Sequence, residues 1–186
     1  MYKTKGIIIK KTEKGESDNI ITVFTEDYGK LILLARGIRK STSKLSSHSD
    51  LFSLVELNFV LGRKDNILTS VIKIDNFNSN KRNLKKIKAL AHISYLVDRY
   101  FIKEERDDEI FNLFSNAFSY LEKKERSDIE INYFLRYFEF RFLSILGYAP
   151  KEKKATDLFS SGDKLVRQRD LNEMELLFLR YLRSII

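Results

Sequence analysis

The residues best placed to do chemistry in this chain are cations and hydroxyls. From Gly29 to Ser49 the sequence carries Lys30, Arg36, Arg39, Lys40 and Lys44 without one carboxylate, and it adds Ser41, Thr42, Ser43, Ser46 and Ser47. Guanidinium and ammonium groups pair with phosphates, and hydroxyls and free backbone N–H groups add hydrogen bonds. The stretch reads in two ways, as a solvated loop or as a phosphate-contacting surface. A smaller basic pair, Arg63 and Lys64, sits in the turn-like run Gly62 to Asn66. Tyr28 and Phe52 flank the long stretch. Their rings could stack on bases or belong to a core.

Other chemistry is poorly supported. His48 and His92 are far apart, and cysteine is absent. That removes thiolate zinc sites and disulfides, and no metal or cofactor is expected. No phosphate-binding glycine loop is present, since Gly29 and Gly37 have no matching lysine and hydroxyl. A Gly-x-Ser-x-Gly nucleophile elbow is also missing. Gly15-Glu16-Ser17-Asp18 reads as a turn with local hydrogen bonds. Glu104 to Glu109 reads as an acidic loop whose last carboxylates favour the next helix N-terminus. The chain is expected not to be an enzyme.

The balance of charge agrees with a polyanionic partner. Across 186 residues, 34 lysines and arginines face 26 aspartates and glutamates, a net charge of +8. Such a surplus attracts polyanions and speeds their encounter. Nine tyrosines and 14 phenylalanines are enough for a genuine core. No segment approaches the roughly 18 uncharged apolar residues of a membrane helix, and the N-terminus has no signal-peptide core. The expectation is a soluble, cytoplasmic protein without membrane contact.

Two kinds of element must position these groups. Up to about residue 80 the apolar residues come in short runs: Gly6 to Lys10, Ile20 to Phe24 and Leu31 to Ala35. Val55, Leu57, Phe59 and Leu61 then alternate with their neighbours at the strand period, and Leu68 to Ile74 follows the Gly62 to Asn66 turn. Five short strands predict a small barrel or sandwich. The Arg36 to Asp50 connection is too long for a hairpin. Beyond residue 80 the period is helical. Leu84 to about Lys103 is one helix, and Ile110, Phe111, Phe114, Ala117, Phe118 and Leu121 mark a second. Ser127 and Glu130 make a capping box for a third, ended by Gly147 and Pro150. Asp170 and Glu173 repeat the pattern before a fourth, after a polar loop from Lys151 to Arg169. The reading is an α+β protein: a strand domain over residues 1–80 and a helical bundle over 81–186.

The order of short motifs carries a family resemblance. Gly6-Ile7-Ile8-Ile9-Lys10 leads to Gly15-Glu16-Ser17-Asp18. Then come Ile21 to Lys30 and Ala35-Arg36-Gly37-Ile38-Arg39-Lys40, with Ser43-Lys44-Leu45 after them. In the helical part, Arg136 to Leu143 is followed by Leu146-Gly147-Tyr148-Ala149-Pro150. In this order and spacing the chain resembles the RecO family over nearly its whole length. The resemblance implies a five-stranded OB-fold barrel followed by an α-helical domain. It implies a non-catalytic DNA repair and recombination mediator that binds single- and double-stranded DNA and anneals complementary strands. Such a protein acts with RecR to load RecA on DNA coated by single-strand-binding protein, and contacts that protein's tail. Many family members carry four cysteines after the Gly-Tyr-x-Pro segment. Lys151 to Arg169 has none, which implies a zinc-less, shortened helical domain.

With that resemblance the expected DNA contacts are Lys30, Arg36, Arg39, Lys40 and Lys44, with Arg63 and Lys64 in the loop between strands four and five, all to phosphates. Arg136 and Arg141 are the candidate partner contacts, and pairing with Glu139 is the competing account of them. The chain is expected to be a monomer, nucleoid-associated during repair. The alternatives are a generic OB-fold module for RNA or DNA and a protein-interaction scaffold.

Overall fold

The computed structural model describes residues 1–77, 83–101, 105–122 and 126–148. Strands β1 (Tyr2–Lys14), β2 (Asp18–Thr25), β3 (Gly29–Ala35), β4 (Leu54–Val60) and β5 (Asn66–Asp75) close a barrel in the order β1-β2-β3-β5-β4. A short 3₁₀ turn, Ser46–His48, interrupts the long β3–β4 connection. Helices α1 (Leu84–Tyr100), α2 (Asp108–Glu122) and α3 (Asp128–Ile145) follow. The architecture is α+β, an OB-fold barrel with a helical domain. The expected fourth helix, the polar loop before it and Pro150 lie outside the described residues.

β1 is longer than its apolar run suggests, because one strand serves two neighbours. Tyr2 to Ile7 pair with β4, and Gly6 to Lys14 pair with β2. A bulge between Ile8 and Lys10 bends the strand between those duties. Gly6 is needed at the crossing, where a Cβ would meet the Phe24 carbonyl oxygen at 2.6 Å. The barrel closes by a short parallel pairing, Leu33 with Asn66 and Leu34 with Ile67. Alternation then sorts the side chains. Ile21, Val23, Leu31, Leu33, Val55 and Leu57 fill the interior.

The residues of the opposite parity build a second core with the helices. Ile7, Ile9 and Phe24 leave the barrel and pack among Leu90, Ile93, Val97, Phe114, Phe118 and Phe138. Phe24 meets Phe101 edge-on at 5.1 Å and Phe114 at 5.4 Å. Phe52 and Phe77 sit at positive φ (60° and 45°), a strained state for a bulky residue that persists only where packing over-determines it. Both rings lie against Phe118 in this core. Phe52 is therefore a core residue, and only 7% of it is exposed.

Helix ends follow the local chemistry. Asn83 accepts the Lys85 and Lys86 N–H groups at the start of α1. Asp107 accepts the Ile110 N–H (2.9 Å) ahead of α2. The Ser127–Glu130 capping box opens α3 as expected, and Gly147 (φ 84°) closes it with the Tyr148 N–H on the Leu143 carbonyl (2.8 Å). Among the described residues no helix is long and apolar enough to cross a membrane.

Candidate nucleic-acid interface

Sheet register decides which basic residues meet. Because the end of β3 pairs with the start of β5, residues 36–40 leave β3 and residues 61–65 enter β5 beside the same short seam. The end of β1 joins them through ion pairs. Lys14 Nζ lies 2.9 Å from Asp65 Oδ2, and Arg39 Nη1 lies 2.5 Å from Glu13 Oε2. Arg36, Arg39, Lys40, Arg63 and Lys64 are exposed there. Among the described residues, Arg36, Lys40, Lys44, Arg63 and Lys64 make no ion pair. Lys44 is also exposed but lies further along the connection, where its carbonyl accepts the Ser47 hydroxyl at 3.4 Å.

The 36–40 turn is built, not slack. Ile38 inserts into the barrel core and is 2% exposed, so the cations around it are turned outward. Gly37 has φ 63°, a left-handed conformation that glycine adopts without steric cost. Its N–H donates to Asp18 Oδ1 at 2.7 Å. The Ser17 hydroxyl donates to the same oxygen (3.1 Å), and the Arg39 N–H donates to the Ser17 carbonyl (2.9 Å). The Lys40 N–H then returns to the Gly37 carbonyl (3.1 Å). The Gly37 hydrogen bond, the Ser17 hydroxyl and the nearby Arg36 and Lys40 charges hold the Asp18 carboxyl below its ordinary range.

Gly15-Glu16-Ser17 forms the turn expected from sequence, and Asp18, which the same reading included, opens β2 and braces the basic turn. That link closes the open end of the β2–β3 hairpin across 19 residues, so local sequence does not announce it. Counting back from the turn at residues 26–28 pairs Asn19 with Ala35 and sets Asp18 opposite the residues just past β3. Lys14 is a second rim residue that the run of motifs did not single out.

Lys30 does not join the rim. It starts β3, and a strand rising about 3.3 Å per residue puts it near the far end of the barrel from Arg36. Its ammonium donates to the Asp98 carbonyl at 2.5 Å and lies 3.4 Å from Asp98 Oδ1, with 12% of the side chain exposed. Lys30 ties the barrel to α1. Tyr28 is half-buried, edge-on to Tyr2 (5.9 Å) and Phe59 (5.4 Å).

The candidate partner contacts on α3 have internal partners. Arg136 Nη1 donates to Glu139 Oε2 at 2.7 Å, and Glu139, with 5% of its side chain exposed, also lies 2.6 Å from His92 Nε2. Arg141 Nη2 lies 3.4 Å from Glu109 Oε1, with both side chains exposed. His48 Nδ1 accepts the Lys73 N–H at 3.3 Å. Neither histidine has a cluster around it: among the described residues no group of three or more His, Asp or Glu could hold a metal ion.

A closed five-stranded barrel with exposed cations beside one seam and helices packed on its flank defines the class: an OB-fold barrel with an α-helical domain. Comparison with known proteins narrows the class. Residues 1–79 match the family described as Recombination protein O N terminal, and residues 81–157 match Recombination protein O C terminal. The chain belongs to the RecO family. It is 33% identical over 148 residues to a DNA repair protein RecO of Acetivibrio thermocellus, covering 80% of this chain and 58% of that one. To the DNA repair protein RecO of Thermodesulfovibrio yellowstonii it is 34% identical over 155 residues, 82% of this chain and 60% of the other. A Roseiflexus DNA repair protein RecO is 31% identical over 151 residues, 81% and 52%. The chain therefore matches between half and two thirds of the length of these relatives.

Proposed function

We propose that this chain is a non-catalytic DNA repair and recombination mediator that grips DNA by its phosphates at the basic end of the barrel. The observation that carries the reading is the exposure of Arg36, Arg39, Lys40, Arg63 and Lys64 on the two loops that flank the β3–β5 seam, both tied to the end of β1 and most of these cations without an internal ion pair. Cations without carboxylate partners are free to displace the counterions of a polyanion. They carry no geometry for reading bases, so binding would be indifferent to sequence. Lys44 would extend the contact along the β3–β4 connection, and Lys30 is left out because Asp98 engages it.

Family membership supports the wider role. The relatives bear the name DNA repair protein. On this reading the chain binds single and double strands, anneals complementary ones, and works with RecR to place RecA on strands coated by single-strand-binding protein.

The test is annealing of two complementary oligonucleotides coated with single-strand-binding protein, with and without the chain, at two salt concentrations. Acceleration that fades with salt is the expected result. Annealing of bare strands alone would keep the DNA site and remove the coating-protein contact. No acceleration of either, by folded protein, overturns the reading in favour of a protein-interaction scaffold.

A further inference from the structure

The outward face of α1 carries two cations and an aromatic ring. At about 100° per residue, Leu84, Lys88, Ala91, Tyr95 and Arg99 fall within an arc of about 80°, and all five are exposed. Tyr95 keeps 58% of its surface in solvent. The only carboxylate of α1, Asp98, lies to one side of this stripe, where Lys10 (3.3 Å) and Lys30 engage it. His92 lies to the other side, against Glu139 on α3. No described group forms an ion pair with Lys88 or Arg99.

The stripe connects to the basic barrel end. Lys14, Thr12 and Lys10 follow one another along the outer side of β1, and Lys10 is level with Thr22 and with Ile32, which is 46% exposed. From Lys14 to Lys10 is about 13 Å at the rise of a strand. Lys10 then touches Asp98, next to Arg99 and one turn from Tyr95.

Resting on the reading of the barrel as a DNA-binding module, we propose that a single strand leaving the barrel end crosses this sheet face onto α1. There Tyr95 stacks on a base, and Arg99 and Lys88 meet the flanking phosphates. Positive charge along a path with an aromatic face is how sequence-tolerant single-strand sites are built, and the path lies within their usual span of roughly 4–16 nucleotides. Charge complementarity selects a polyanion, and the ring selects unpaired bases, because a duplex keeps its base faces stacked inside. The α1 face therefore distinguishes single from double strands, which phosphate contacts alone do not.

The chain has no tryptophan, so Tyr95→Trp in the full chain creates a single fluorescent indole. Oligo-dT and a duplex of equal length are titrated against it, while binding is followed independently by anisotropy of labelled DNA. Expected are strong quenching by oligo-dT and little by duplex. Tyr95→Ala lowers single-strand affinity about 5- to 50-fold with the salt slope unchanged, and Tyr95→Trp restores it. Arg99→Ala instead lowers the slope by about 0.7. If oligo-dT binds by anisotropy but the indole is unquenched and Tyr95→Ala binds normally, the α1 site is wrong and the barrel reading stands. If folded protein binds no DNA by either readout, both fall. Quenching by polyglutamate but not by oligo-dT overturns the proposal in favour of an acidic protein segment.

Discussion

β3 has two ends with opposite fates. At its start, Gly29 (φ 59°) and Lys30 face the helical domain. A Cβ on Gly29 would collide with the Glu105 carbonyl, and the Lys30 ammonium is engaged by Asp98. At its finish, Gly37 has nearly the same φ, 63°, but a Cβ there would meet only the flexible Lys40 side chain at 3.6 Å. Arg36 beside it has no ion pair among the described residues. One backbone device and one kind of side chain thus serve packing at one end and presentation at the other. A positive-φ glycine next to a cation says nothing of function until the neighbours are known.

The largest effect that tests this contrast is on stability. Gly29→Ala combines a left-handed alanine with a backbone clash and should cost about 3 kcal/mol or more, measured by urea unfolding. A loss no larger than that of Gly37→Ala would erase the difference between the two ends. Next comes the joint replacement of Arg36, Arg39, Lys40 and Lys44 by alanine. It should leave the unfolding midpoint nearly unchanged, weaken single-strand binding for every sequence, and reduce the salt slope by roughly 0.7 for each lost contact. Lys30→Ala should do the reverse, lowering stability with little change in slope. A slope that Lys30→Ala lowers as much as Arg36→Ala would merge the two ends electrostatically.

Asp18 gives a smaller effect with an instructive sign. Deleting a carboxylate beside the basic turn should strengthen DNA binding if only charge mattered. Because Asp18 braces Gly37, Asp18→Ala should instead weaken it, about three- to tenfold, the worth of roughly one ordinary hydrogen bond. Asp18→Asn, which keeps an acceptor and removes the charge, should recover most of the loss. The carboxyl is held below its ordinary range, so the brace persists above that range and is lost only as pH falls through the lowered value. The turn should accordingly keep its shape at pH 5, as read from the Gly37 amide resonance. The smallest effect is Gly37→Ala, about 1 kcal/mol of stability from conformational strain alone.

How far the sequence discloses this arrangement depends on the distance over which each contact acts. The alternation at Val55 to Phe59 and the stripe from Ile110 to Leu121 are local, and the strand and helix follow directly. The Ser127–Glu130 box is local too. The polar ends of β1 are not legible from apolar runs, because their pairing comes from strands on both sides. Lys30 and Arg36 look alike in sequence, and only a contact with Asp98, 68 residues away, separates them. Phe52 could be read as a stacking ring or a core ring until its positive φ and its place beside Phe118 are known. Arg136 is a similar case: its pairing with a buried Glu139 that also serves His92 is seen only in the structure.

The two register pairs between β3 and β5 are the thinnest seam of the barrel, and both basic loops hang from it. So short a ladder is where local opening costs least, and amides there should exchange with solvent well before those of the β1–β2 ladder. A ligand that touches residues 36–40 and 61–65 together binds only the shut seam, so by mass action it also holds the seam shut. Phosphates laid across both loops would act as a clasp, and slower exchange at Leu33, Leu34 and Ile67 would report an occupied barrel end without any label on the DNA.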